Sequence, residues 1–348
     1  MALHPSRLTW SLSVLLLVGL AQITLVASAV AAPDVVRIGT FTKTLPTIVA
    51  EAKGFWAEQN VTIELSQVTG SLQQAKALRD GEYDLAFSSA DNAVNYRINR
   101  GNKLGAPLDV QIIAAQDLGA GLRLLAKPDF ANVPSLRRAR LALDAPDSGF
   151  AFVLYKMLGL NGLERGRDYD VTSLGGTAQR LTALLNNQTD ATLLSAGFDV
   201  RARDAGFTSL MHVNDIVRPY LGIVIMGRES WMRAHDDSVV RFLRGYMNAL
   251  AWSLDPLHRA EAIVLLAESS PGTSAALAAK QYEAQVAASD GLATDMTINV
   301  LGLRHVLDLR QEFGGFDEPK TPEELAGLAS RQSGLWTDAF LNKAIQSR

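Results

Sequence analysis

The chain has no cysteine among its 348 residues. That absence excludes disulfides, thiolate metal sites, iron–sulfur clusters and cysteine nucleophiles together. It also excludes the lipid anchoring of bacterial lipoproteins, which needs a Cys at the cleavage point. Histidine is scarce: beyond His4 there are only His212, His235, His258 and His305, too widely spaced for a local His-x-x-x-His zinc motif. Charge of one sign is missing as well, with 33 Lys and Arg against 36 Asp and Glu, spread evenly, which argues against a nucleic-acid partner. There is no G-x-S-x-G elbow and no G-x-x-x-x-G-K-[ST] phosphate loop. Gly119-Ala120-Gly121 opens a dinucleotide-like motif but lacks its third glycine and runs into a strand, so it reads as a turn. No catalytic constellation, metal site or cofactor is expected.

What is present is enough chain for two domains, 48% of it hydrophobic. Residues 1–31 have the pattern of a secretory signal: Arg7 without an acid, an apolar stretch from Leu12 to Val26, then small residues before Pro33. Ala27-Ser28-Ala29 and Ala29-Val30-Ala31 offer cleavage points, placing the cut near Ala29 to Ala32. The rival is a retained anchor, but Ser13, Gly19, Gln22 and Thr24 dilute the run. No later stretch is long and apolar enough to span a bilayer. The expectation is a monomer in a bacterial periplasm, with no stable membrane anchor.

From Pro33 onward strands and helices alternate, which argues for parallel sheets flanked by helices. Val35 to Ile38, Val61 to Val68 and Leu85 to Phe87 read as strands, with helices from Leu45 to Phe55 and from Ser71 to Asp80. The pattern then recurs. Shifted by 106 residues, positions 70–90 fall on 176–196 with seven identities in 21, among them Gly70 on Gly176, Asp84 on Asp190 and Ser89 on Ser195. Arg140 to Leu143, Phe150 to Leu160 and Tyr169 to Leu174 repeat the preceding elements. A repeat of this size implies two similar α/β lobes. Apolar strands at Leu122 to Ala126 and Leu221 to Met226 bracket the second and are expected to form a two-strand hinge. The division is then 32–126 plus 222–348 for the first lobe and 127–221 for the second, with C-terminal helices packing mainly on the first.

In open α/β sheets ligands bind beyond the carboxyl ends of the strands, against helix N-termini. The junctions here put Phe41, Thr42, Lys43, Gly70, Ser71, Ser88, Ser89 and Asp91 on one lobe. Opposite them stand Ser148, Gly149, Phe150, Gly175, Gly176, Thr177, Ser195, Phe198 and Asp199. Taken singly, each hydroxyl is an N-cap candidate and each phenylalanine a core candidate. Taken together, paired junctions in two joined lobes would face one another across a cleft with apolar walls.

Five segments carry a family resemblance: Val36-Arg37-Ile38-Gly39-Thr40, Glu51-Ala52-Lys53-Gly54-Phe55-Trp56, Val61-Thr62-Ile63-Glu64-Leu65, Gly81-Glu82-Tyr83-Asp84-Leu85-Ala86 and Gly175-Gly176. Over residues 34 to 255 the chain resembles periplasmic solute-binding proteins of the nitrate/sulfonate/taurine and NMT1/THI5-like group. The resemblance implies a type II periplasmic-binding-protein fold, a ligand held between the lobes, and an ABC-transporter permease as partner. By position it assigns ligand contacts to Thr42, Ser71, Ser89, Ser148, Gly176 and Ser195. A sulfonate or nitrate would suit the helix N-termini and Lys43. Asp91, Asp147 and Asp199 at the same mouths would repel an anion and favour a neutral or amine-bearing compound, such as a pyrimidine. The group's enzymatic branch uses cysteine-rich chemistry, which this chain lacks. A periplasmic sensor or enzyme on the same body is the alternative reading.

Overall fold

The computed structural model describes Met1 and residues 34–195, 197–270 and 272–347. The expected signal segment and its cleavage point lie outside the described residues. The first lobe opens with β1 (Asp34–Thr40), α1 (Leu45–Lys53), β2 (Val61–Gln67), α2 (Ser71–Asp80), β3 (Leu85–Ser89), α3 (Ala90–Ile98) and β4 (Val110–Ala115). The second holds β5 (Arg123–Ala126), β6 (Leu141–Leu143), α4 (Gly149–Leu160), β7 (Val171–Ser173), α5 (Thr177–Leu185), β8 (Ala191–Leu194), α6 (Phe198–Asp204) and β9 (Thr208–His212). The chain then returns through β10 (Ile223–Arg228) to α7 (Glu229–Ala234), α8 (Asp236–Leu254), α9 (Arg259–Glu268), α10 (Ala275–Val286), α11 (Val300–Glu312), α12 (Pro322–Ala329) and α13 (Ala339–Gln346).

The two sheets run β2-β1-β3-β10-β4 and β7-β6-β8-β5-β9. In each, the first three strands are parallel and the fourth is antiparallel to the third. Helices cover both faces, so β3, β4 and β8 are buried along their whole length and read as unbroken small or apolar runs instead of alternating. The expected two-lobed α/β fold is the one observed. The duplicated pattern has a physical counterpart in an acid at the start of each third strand. Asp84 accepts the Arg37 backbone N–H (2.9 Å) and both arms of its guanidinium (3.0 and 2.8 Å). Asp190 does the same for Arg140 at 2.9, 3.0 and 2.7 Å.

One expectation is corrected. The strands at Leu122 to Ala126 and Leu221 to Met226 are not shared crossings: β5 lies in the second sheet and β10 in the first. The backbone passes between lobes just before each, through 116–122 and 213–222, so Arg123–Ala126 belongs with the second lobe. Each crossing delivers the antiparallel strand of the sheet it enters. The crossings are tied together where the Gln116 N–H donates to the Ile223 carbonyl (2.9 Å) and the Ile223 N–H donates to Asp117 Oδ1 (3.1 Å). Of the C-terminal helices, α8, α9 and α13 lie on the first lobe, while α11 packs on both α3 and α4, and α10 touches α6. One apolar core therefore runs through both lobes, with Phe313 stacked on Phe152 of α4 at 6.2 Å.

Candidate functional site

Because the parallel strands of both sheets end at the same gap, their following loops and helix N-termini meet there and line a cavity of about 60 Å³. Four phenylalanines line it: Phe41, Phe87, Phe150 and Phe198. Between them stand the hydroxyls of Thr40, Thr42, Thr44, Ser71, Ser89, Ser148, Thr177 and Ser195, the amides of Asn92 and Gln116, and Ile223. α3 and α4 are capped by the lining serines themselves, Ser89 accepting from Asn92 N and Ser148 from Ala151 N. α2 and α5 follow Gly70 and Gly176 and carry no side-chain cap, leaving first-turn N–H groups beside the cavity.

The lobes touch across the gap. The Gly176 N–H donates to the Thr69 carbonyl at 2.9 Å, and Ser71 Oγ donates to Asp144 Oδ2 at 2.8 Å. Asp144 also accepts from Ser148 Oγ at 2.8 Å, so a carboxylate of the second lobe is held by one hydroxyl from each side. Gly176 is glycine for a reason of space: a Cβ there would stand 3.2 Å from the Phe41 ring of the opposite lobe.

Of the residues expected here, Phe41, Thr42, Ser71, Ser89, Ser148, Phe150, Gly176, Thr177, Ser195 and Phe198 line the cavity. The others do not. Lys43 lies outside it on the exposed face, paired with Glu51 at 2.6 Å. Gly70 and Gly175 belong to the flanking turns; Gly175, at φ +86°, needs glycine for its backbone. Ser88 is buried behind the wall and accepts from Asn92. Gly149 leaves room for Asp91, whose Cβ would otherwise be 2.4 Å from its own. Asp91 is turned away into a two-armed ion pair with Arg310 at 2.7 Å, and Asp199 is held by Arg203 (2.9 Å) and Arg123 (3.4 Å). Asp147 sits on the surface with Lys103. The repulsion of anions expected from these three carboxylates is thus spent on other cations.

Three charged residues that do line the cavity were missed: Asp117, Asp144 and Arg180. Asp117 follows β4, a strand that the pattern had left unassigned. Asp144 lies one residue past a recognised strand, in a loop read only from Asp147 onward. For Arg180 a signal existed, since the 106-residue register places it on Gln74. Thr44, Gln116 and Asp117 are also shared with a second, wider cavity between α6 and α10, into which Asp199 projects.

Asp117 holds the turn at the first crossing between lobes, its Oδ1 accepting from Gly119, Ala120 and Ile223 N–H groups at 3.1, 2.6 and 3.1 Å. Burial nevertheless dominates and pushes its carboxyl up to about 6. A carboxyl whose pKa is raised by folding favours the fold in its protonated form. Its contribution is complete below the ordinary value near 4 and is lost as pH climbs through about 6. Asp117→Asn keeps an acceptor oxygen and cannot ionise, so it should flatten that part of the stability curve. Denaturant titrations of both proteins from about pH 4 to about pH 7 check this; parallel curves would count against it.

Among the described residues no helix is long and apolar enough to cross a membrane, and no cluster of acids and histidines is placed to hold a metal ion. A family model described as the NMT1-like family matches residues 31–267. No curated protein matches the sequence. Among solved structures, the periplasmic nitrate-binding protein NrtA from Synechocystis PCC 6803 superposes with a TM-score of 0.72 at 13% identity, over 90% of this chain and 89% of that one. The alkanesulfonate-binding protein SsuA from Xanthomonas axonopodis pv. citri, bound to MOPS, gives 0.66 at 18% identity over 83% and 96%. The desulfurization enzyme DSZB gives 0.59 at 13% identity over 90% and 99%. At these identities the likeness is one of fold, and the fold serves binding proteins and an enzyme alike.

Proposed function

From the premise that this chain belongs to the NMT1-like family, we propose that it is a periplasmic solute-binding protein that captures a small organic molecule between its lobes and delivers it to an ABC importer. The observation that carries the reading is the cavity itself, walled by strand ends and helix N-termini of both lobes and bridged by Ser71–Asp144 and Gly176–Thr69 hydrogen bonds. A ligand there touches both lobes only when they are together. Its affinity for the closed form exceeds that for an open form by those extra contacts, and that difference drives closure. Four phenylalanine walls suit an organic solute better than nitrate alone. The lining contains neither histidine nor cysteine, so the reading as an enzyme has no imidazole base or thiol nucleophile to start from.

The test is a thermal-shift screen of protein purified from the periplasm of an expressing bacterium, whose N-terminal sequence also reads the cut expected near Ala29 to Ala32. Sulfonates, nitrate, amines, pyrimidines and aromatic acids form the panel, since a solute that binds only the folded state raises its melting temperature. At least one class should raise it. A flat response to every class, or turnover of any compound, would overturn the transport reading.

A further inference from the structure

The two lobes are each other's control. In the 106-residue register Gln74 of α2 corresponds to Arg180 of α5, and Phe87 to Leu193. Gln74 Nε2 donates to the Phe87 carbonyl (3.0 Å) and the Gly39 carbonyl (2.9 Å), fastening helix to strand. Arg180 does the same work: it donates to the Leu193 carbonyl (3.1 Å), the Gly175 carbonyl (2.9 Å) and Thr177 Oγ1 (3.2 Å). An uncharged amide therefore suffices for the scaffold. Arg180 brings a full positive charge to the same position, where its side chain is 1% exposed and every direct acceptor is neutral. No carboxylate lies within ion-pair distance of it among the described residues. A buried cation so placed is unfavourable unless something else neutralises it. Asp144 acts on it only at longer range, and both Asp144 oxygens already accept serine hydroxyls. Arg180 is also among the residues lining the cavity, which Gln74 is not.

We propose that Arg180 is the charge-selecting residue of the cavity: with Thr177 and the uncapped first turn of α5, it receives the acid group of an organic anion whose apolar body rests on Phe41, Phe150 and Phe198. The inference rests on the solute-binding reading and names its substrate class. It reverses the preference for amines that Asp91, Asp147 and Asp199 suggested before their partners were seen. Carboxylate and sulfonate share the chemistry; the experiment separates them.

Benzoate, benzenesulfonate, benzamide and benzylamine are titrated into the wild-type protein and Arg180→Gln at neutral pH. One of the two acids should raise the wild-type melting temperature, with benzamide and benzylamine inert. Arg180→Gln, which restores the arrangement of Gln74, should fold with unchanged circular dichroism, bind that acid at least tenfold more weakly, and melt no lower than wild type without ligand. A merely structural arginine would instead lower the ligand-free melting temperature, and that result overturns the proposal. So does equal binding of the acid by both proteins. If benzamide or benzylamine binds while the acids do not, charge selection by Arg180 is wrong and the solute-binding reading survives; if none of the four binds, the proposal falls, and the broader screen decides the reading on its own.

Discussion

Arg310→Ala should lower the unfolding free energy by about 3–5 kcal/mol, the usual consequence of stranding one member of a buried ion pair. Arg310 on α11 and Asp91 on α3 are 219 residues apart in sequence and both lie beyond the reach of solvent. Their two-armed contact is 2.7 Å at each oxygen. The guanidinium also donates to Asn95 Oδ1 at 3.1 Å and lies 5.2 Å from the Phe152 ring, so it joins α3 of the first lobe to α4 of the second. Alanine removes all of this and leaves buried Asp91 without its cation, with the N-terminal end of its own helix for compensation. Asp91→Leu combined with Arg310→Met should lose much less than Arg310→Ala, because no charge is left behind. Urea unfolding of the three proteins checks both statements. A loss under about 1 kcal/mol for Arg310→Ala would show that Asp91 finds another partner.

Ser195→Trp should abolish binding of whichever compound raises the wild-type melting temperature, weakening it about a hundredfold or more, about 2.7 kcal/mol. Ser195 closes β8 at the wall of the cavity, and an indole projecting from that position occupies the space between the lobes. Among the described residues its side chain caps no helix, α6 being capped at Gly197, so the fold should stand, as circular dichroism would show. Ser89→Trp blocks the cavity from the other lobe but also deletes the N-cap of α3, a bond to Asn92 N at 3.3 Å. That loss costs about 1 kcal/mol of stability. Ser195 is therefore the cleaner position. Undiminished binding by a folded Ser195→Trp protein would place the ligand elsewhere, with the wider cavity beside α10 the first alternative.

The elements that were legible in the sequence are those with local causes. α2 falls on Ser71–Asp80 as expected, and α4 on Gly149–Leu160 against the expected Phe150 to Leu160, because Gly81 ends the first and the Ser148 cap starts the second. The cavity-lining serines were legible because a strand-to-helix junction demands a cap whichever ligand it later meets. β4 was not legible. Its run Val110–Ala115 is buried on both faces and has no alternation to give it away. The membership of β5 and β10 was hidden for a related reason: an apolar run says that a strand is buried, and says nothing about which sheet buries it.

Alone, the sequence determined the strand–helix order, the glycine and serine junctions and the duplicated register that makes two lobes, because each arises from contacts within a few turns of chain. Only the tertiary structure decided the electrostatics of the cleft. Asp91, Asp199 and Lys43 look like cleft charges in sequence and are all engaged elsewhere, by Arg310, by Arg123 and Arg203, and by Glu51. Arg180 looks like one more helix residue, yet it lines the cavity with no carboxylate within ion-pair distance among the described residues. A charge acts over distances at which residues far apart in sequence become neighbours, so its partner, and with it the sign that a ligand meets, is set by the packing.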